Sequence, residues 1–344
     1  MLGRYIRARE RWHATRETNR VVRPFEWGAE FVAEHLNGDD PREVVGRASR
    51  EAVRRSEEFY ALPPVEDYEL CGDRLTWTSA VETPSAENDT ARARLFEAAP
   101  PKRPSRDGGG RRAVVVLPQW NADAEGHVAL CRLLARVGIT ALRLTLPYHE
   151  ERRPADLERA DFLVSPNVGR TLQSMRQAVL DTRAAVAWLG ARGYERVGVM
   201  GTSIGSCTAF LAFVHDERIR TGVFNHVSGY FADVAWRGIS TRHVRAGIEG
   251  SLTLEELREA WLPISPMTFA DRLRTQSPRP MRFIAARHDL TFPADLSRDV
   301  IESVRATGAP LDVVWLPCGH YTSGERPWVY LDAWKIVNFL RKNL

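Results

Sequence analysis

From residue 113 onward, short apolar runs alternate with segments of helical period, and this alternation restricts the chain more than any other feature. The runs are AVVVLPQ (113 to 119), TALRLTLP (140 to 147), RVGVMGTS (196 to 203), TGVFNHVS (221 to 228), PMRFIAARHD (280 to 289) and LDVVWLPCGH (311 to 320). Strands that are apolar on both faces and separated by helices build a parallel sheet covered on both sides. Of the helices, the clearest carries Leu172, Met175, Val179, Thr182, Val186 and Leu189 on one face; the last carries Tyr330, Trp334, Val337 and Leu340. Ahead of this region, RLTWTSAVE (74 to 82) and ARARLFEAA (91 to 99) read as two antiparallel strands joined by a Pro/Ser/Asn/Asp turn, which makes eight strands in all. The run PPKRPSRDGGGRR (100 to 112) is a loop by composition.

Residues 1–66 read as a helical extension. Trp27, Phe31, Val32 and Leu36 form an apolar stripe that Gly38 can close, and Asp40-Pro41-Arg42-Glu43 supplies an N-cap, a first-turn Pro and a capping-box Glu for a second helix to about Phe59. The sheet domain then takes residues 67–344. Two insertions follow strand ends, 148–171 and 229–272, where a lid or cap belongs; the second holds a capped helix at Thr253 to Glu256. Tyr148, His149, Glu150, Glu151, Arg152 and Arg153 suit either a charged surface loop or a pocket mouth. The aromatics Tyr230, Phe231, Trp236, Trp261 and Phe269 suit either an acyl pocket or packing between cap and sheet.

Composition excludes several function classes. The 48 basic and 44 acidic residues leave a net charge of +4 with only three lysines, which is no nucleic-acid footprint. Residues 1–23 hold seven Arg against Glu10 and Glu17, which suits a solvated helix face or peripheral contact with an anionic membrane. No stretch approaches the roughly 18 apolar residues of a membrane span, the first residues lack a signal-peptide core, and Cys71, Cys131, Cys207 and Cys318 are scattered. A cytoplasmic protein with reduced thiols is the expectation. His13, His35, His127, His149, His215, His226 and His243 make no compact ligand spacing, so no metal and no cofactor is predicted. Gly198, Gly201 and Gly205 have the wrong spacing for a dinucleotide loop, and a Walker A loop is absent.

The sharpest motif is Gly201-Thr202-Ser203-Ile204-Gly205, set between the strand RVGVM and the helix SIGSCTAFLAFV. At such a strand–turn–helix junction the turn is so tight that the positions two before and two after the Ser favour Gly, and the Ser is held exposed at a helix N-terminus. The competing reading of Ser203 is a plain helix N-cap, against which the flanking glycines argue. A Ser nucleophile needs a base and an orienting acid. His320 follows the last strand and Asp289 follows the one before, so Ser203, Asp289 and His320 each fall at the carboxyl end of a predicted strand. Asp295 and Asp299 are competing acids, His288 reads as a supporting or surface group, and Cys318 as a small buried residue.

With GTSIG, ARHDLTFP and PCGHYTSG, residues 70 to 344 resemble the α/β-hydrolase superfamily. The resemblance implies a mostly parallel eight-stranded sheet with helices on both faces and a Ser-His-Asp hydrolase site. It also implies an oxyanion hole built from the Ile204 backbone N–H and one from the loop Leu117 to Asn121, either Gln119 or Trp120. The reaction expected is cleavage of a small-molecule carboxylic ester through an acyl-enzyme. The same triad serves an acyltransferase or thioesterase, and a catalytically silent binding protein is the reading from another class.

Overall fold

A computed structural model describes residues 1–33, 35, 38–99 and 110–344. Leu36 and most of the loop at 100–112 lie outside the described residues. In chain order the helices are α1 (Leu2–Arg16), α2 (Pro41–Arg54), α3 (Ser56–Phe59), α4 (Val128–Arg136), α5 (Val168–Ala191), α6 (Ile204–His215), α7 (Phe231–Arg237), α8 (Arg242–Ile248), α9 (Leu254–Ala260), α10 (Ala294–Ala306) and α11 (Trp328–Asn343). The strands are β1 (Glu69–Cys71), β2 (Arg74–Thr78), β3 (Thr90–Phe96), β4 (Arg111–Leu117), β5 (Thr140–Thr145), β6 (Tyr194–Thr202), β7 (Ile219–Asn225), β8 (Met281–Ala286) and β9 (Leu311–Leu316).

All nine strands join one sheet in the order β1-β2-β3-β5-β4-β6-β7-β8-β9. β1, β2, β3 and β5 pair antiparallel; β5, β4, β6, β7, β8 and β9 pair parallel. The sheet therefore has nine strands rather than the expected eight. The extra strand, β1, is three residues long and half-exposed, too short to show a period. Its turn was nonetheless written in the sequence: Cys71 pairs with Arg74 across Gly72-Asp73, and Gly72 takes the positive φ that a two-residue hairpin turn asks of its first position.

The central strands are buried because they are apolar on both faces. Ala113 to Leu117 of β4 have no exposed surface at all, and two apolar cores lie on opposite sides of the sheet. One is closed by α4 and α11, the other by α5, α6 and α10. α6 is buried along its whole length, as a helix apolar all round must be.

Three helical expectations change. Residues 27–33 do not form an α-helix: Trp27 lies outside any helix and Ala29–Phe31 make a 3-10 turn. Phe25 packs edge-on to Trp27, and the Trp27 carbonyl accepts the Gly169 N–H at the start of α5. α2 begins where expected, with Pro41 in its first turn, but Asp40 caps Arg42 N rather than closing a box with Glu43. α11 buries Ile336, Val337, Phe339 and Leu340, whereas Tyr330 and Trp334 face outward. The capping box of Thr253 and Glu256 forms as read.

The stretch after β5 is mixed: Tyr148, His149 and Arg152 are buried, Glu151 and Arg153 are exposed, and His149, Glu150, Glu151 and Arg153 line the cavity described below. Arg152 and Asp181 make a fully buried ion pair at 2.9 Å, and the same guanidinium donates to the carbonyls of Asn88 and Thr145. Burial holds the Asp181 carboxyl above its ordinary value, against the pull of Arg152.

Candidate active site

Ser203 lies in the single-residue turn between β6 and α6 with φ 58° and ψ −122°, a strained conformation for a residue with a Cβ. The turn closes only because its neighbours are glycines. A Cβ on Gly205 would stand 2.5 Å from the carbonyl oxygens of both Leu117 and Pro118, and one on Gly201 would collide with the Gly205 carbonyl. Ser203 makes no side-chain cap to its helix, so its Oγ is free for another partner. That partner is His320 Nε2, at 3.0 Å.

His320 follows β9, and its Nδ1–H donates to Asp289 Oδ2 at 3.0 Å. Asp289 follows β8 and is buried; its Oδ1 accepts the backbone N–H groups of Thr291 and Phe292 at 2.8 and 2.7 Å. The rival acids sit elsewhere: Asp295 pairs with Arg237, and Asp299 lines a separate, smaller pocket. Burial works against charge on both members of the acid–base pair, yet their attraction wins. It holds the Asp289 carboxyl well below the usual carboxylate range, with help from a second imidazole described below. His320 is raised above the ordinary histidine value by Asp289, with Glu10 and Glu17 further off. Phe292 stacks on the His320 ring at 5.1 Å. Cys318 is buried and its thiol is pushed up to about 12, which makes it inert.

The loop after β4 faces Ser203. Gln119 and Trp120 line the cavity, while the Asn121 N–H is committed to His149 Nε2 at 2.8 Å. His149 in turn donates Nδ1–H to the Pro147 carbonyl, and burial pushes its pKa down to about 4, which keeps it the neutral acceptor that Asn121 requires. Trp120 Nε1–H donates to the Ala160 carbonyl, and Asn121 Oδ1 accepts the Ala160 N–H, so the insertion after β5 braces this loop. Pro118 has no N–H and that of Asn121 is taken, which leaves Gln119 and Trp120 as the available backbone donors, opposite the Ile204 N–H at the first turn of α6.

Above these groups lies a cavity of about 1350 Å³. Leu130 and Leu133 of α4 with Val329, Ala333 and Ile336 of α11 make an apolar wall; Glu17, Asn19, Glu158 and Arg159 make a polar one. Of the aromatics in 229–272, Phe231 lines the cavity; Trp261 and Phe269 are core residues.

Two contributors were absent from the sequence reading. The α1 residue Glu10, with no exposed surface, accepts the backbone N–H groups of Tyr321 and Thr322 at 3.1 and 2.8 Å, and so grips the turn that carries His320. His13 stacks on Tyr321 and bonds Glu325, and Arg20 donates to Tyr321 Oη. Several of the N-terminal arginines are therefore engaged within the chain: Arg9 with Glu325, Arg20 with Glu17, Arg23 with Asp161. The other contributor is His226, at the end of β7, whose Nδ1 also lies 3.0 Å from Asp289 Oδ2. Its place at a strand's carboxyl end was the one available signal. Among the described residues, His226, Asp289 and His320 are the cluster close enough to ligate a metal, but their facing atoms are already joined by hydrogen bonds. No helix among the described residues is long and apolar enough to cross a membrane.

No protein-family model matches the sequence, and no curated protein matches it. Solved structures do. The acylaminoacyl peptidase of Pyrococcus horikoshii superposes with a TM-score of 0.59 at 15% identity, over 84% of this chain and 43% of that one, so this chain spans less than half of that enzyme. The acetyl xylan esterase of Paenibacillus sp. R4 gives 0.61 at 14% identity, over 94% of this chain and 100% of the other. Acetyl xylan esterase 1 of Thermoanaerobacterium sp. JW/SL YS485 gives 0.61 at 13% identity, over 86% and 93%. With the sheet order, the Ser turn after β6 and these superpositions in hand, the chain has the α/β-hydrolase fold.

Proposed function

We propose that this protein is a serine hydrolase that cleaves a small-molecule carboxylic ester through an acyl-enzyme. The observation that carries the reading is the unbroken chain Ser203 Oγ, His320, Asp289, both links 3.0 Å, at the floor of a cavity large enough for a substrate. Ser203 Oγ attacks the acyl carbonyl while His320 Nε2 takes its proton; Asp289 keeps Nδ1 protonated and stabilises the imidazolium. The tetrahedral oxyanion is held by the Ile204 N–H and by that of Gln119 or Trp120, each such donor contributing about 10²–10³ in rate. His320 then protonates the departing alcohol, and water repeats the sequence to release the acid. In this reading the segments 148–171 and 229–272 form the cap over the site. The esterases among the structural neighbours support the substrate class.

Turnover of a p-nitrophenyl ester series from acetate to long acyl chains tests this, with Ser203→Ala in parallel. The expected result is hydrolysis by the native chain and a loss of about 10⁴-fold or more in the variant. Hydrolysis that survives the substitution would remove Ser203 from the mechanism.

A further inference from the structure

The carboxylate of Asp289 serves two histidines, not one. Its Oδ1 is saturated by the Thr291 and Phe292 N–H groups, and its Oδ2 meets both His320 Nδ1 and His226 Nδ1 at 3.0 Å, the two rings 4.6 Å apart. His226 is 1% exposed and is fixed on every side. Its N–H donates to the Ile284 carbonyl at 2.7 Å, its own carbonyl accepts Ser206 Oγ, and Nε2 lies 3.2 Å from Ser323 Oγ, which donates to the His320 carbonyl. Its φ is 57°, a left-handed conformation that β-strand ends do not need and a side chain rarely adopts. A strained, buried histidine joined to the Ser turn through Ser206, to the acid and to the histidine turn is placed as a positioning device.

We propose that His226 is a positioning residue for the Asp289–His320 pair: by donating Nδ1–H to the oxygen that His320 uses, it fixes the direction of that lone pair and draws off part of its charge. The inference rests on the serine-hydrolase reading for its kinetic consequence but not for its electrostatic one. A carboxylate relieved of charge by one donor attracts a proton on the neighbouring imidazole less strongly. Removing the donor therefore favours the His320 imidazolium, and the pH at which His320 becomes an available base moves upward. The other charged or titratable groups facing this pair are Glu10 and Glu17 with Arg20 from the N-terminal segment, Asp332 from α11 and Tyr321 beside His320. Of these, Asp332, which burial pushes up to about 6, also feels His226 and rises further when it is removed, which is why the His320 ring itself is titrated; the others make no hydrogen bond with His226.

The test uses His226→Gly and His226→Asn in the full-length chain. Both residues tolerate φ near 57°, so backbone strain is not a variable; Asn presents an N–H near the Nδ1 position and Gly presents none. His226→Ala is the second donorless variant should the Gly form not fold. His320 is followed directly by the pH titration of its ring resonances, and function by the pH profile of kcat/KM on p-nitrophenyl acetate. In the donorless variant the His320 midpoint should rise, activity at neutral pH should fall by about 10-fold and recover at higher pH, and added imidazole should restore the native profile. His226→Asn should keep the native midpoint. A His320 midpoint that stays put or falls in the folded donorless variant, or a loss equal at every pH, would overturn the proposal. If no ester is turned over, the hydrolase reading fails, while the ring titration still decides the role of His226.

Discussion

The two halves of the candidate site are held in place by opposite means. The Ser203 turn is fixed by close backbone packing: β6 ends, Gly201 leaves room for the Gly205 carbonyl, Gly205 leaves room for the carbonyls of Leu117 and Pro118 at the end of β4, and α6 begins. The His320 turn is held by hydrogen bonds, some of them its own, from the Gly319 N–H to Thr322 Oγ1 and from Ser323 Oγ–H to the His320 carbonyl. It is gripped by Glu10, some 310 residues away in sequence, by Arg20 through Tyr321, and by the Asp289–His226 pair. The nucleophile is placed by steric fit of backbone against backbone, the base by directed hydrogen bonds, several of them from distant segments.

This contrast breaks most visibly at the glycines. Gly205→Ala should force the carbonyls of Leu117 and Pro118 aside and cost about 3 kcal/mol of stability, read as a lower urea midpoint with unchanged slope. A neutral substitution would mean that the turn is not set by its sterics. On the other side, Glu10→Ala leaves two buried N–H groups unsatisfied in the histidine turn. We expect kcat to fall by about 30-fold, equivalent to about 2 kcal/mol, with Glu10→Gln recovering part of it through its one remaining acceptor. If kcat is indifferent to Glu10, α1 has no hold on the base.

The smallest effect sharpens the comparison rather than breaking it. The Ser203 turn itself contributes no group that titrates near neutrality; apart from Asp332, which burial pushes up to about 6 and which reaches the turn through Asn225, pH dependence belongs to the histidine half. Only neutral His320 can accept the Ser203 proton. Because its pKa is raised, activity should be lost as pH falls through a midpoint above the ordinary histidine value of about 6.5, and be full above it. A kcat/KM profile with its acid limb below that value would contradict the pairing with Asp289.

Legibility in the sequence follows the same division. The parallel strands, the order Ser203, Asp289, His320 and the glycines of the turn are local patterns, and each was readable as such. Strand β1 escaped because three half-exposed residues carry no period, although Gly72-Asp73 marked its turn. The segment around Trp27 looked helical because its apolar spacing was right; Trp27 and Val32 reach the core without a helix, Trp27 paired edge-on with Phe25. Arg152 read as part of a charged surface loop or a pocket mouth, because nothing within reach of it in sequence announces Asp181 as its buried partner. Glu10 and His226 were missed for that reason too: their roles are contacts between distant segments, and a single sequence holds no record of those.

Treatment of the native protein with a fluorophosphonate, followed by peptide mass mapping, bears most directly on whether Ser203 is an activated nucleophile. The expected result is one phosphonyl adduct, on Ser203, formed much more slowly in His320→Ala and not at all in Ser203→Ala. A folded native protein that takes up no label, or takes it up on another residue, would contradict the assignment.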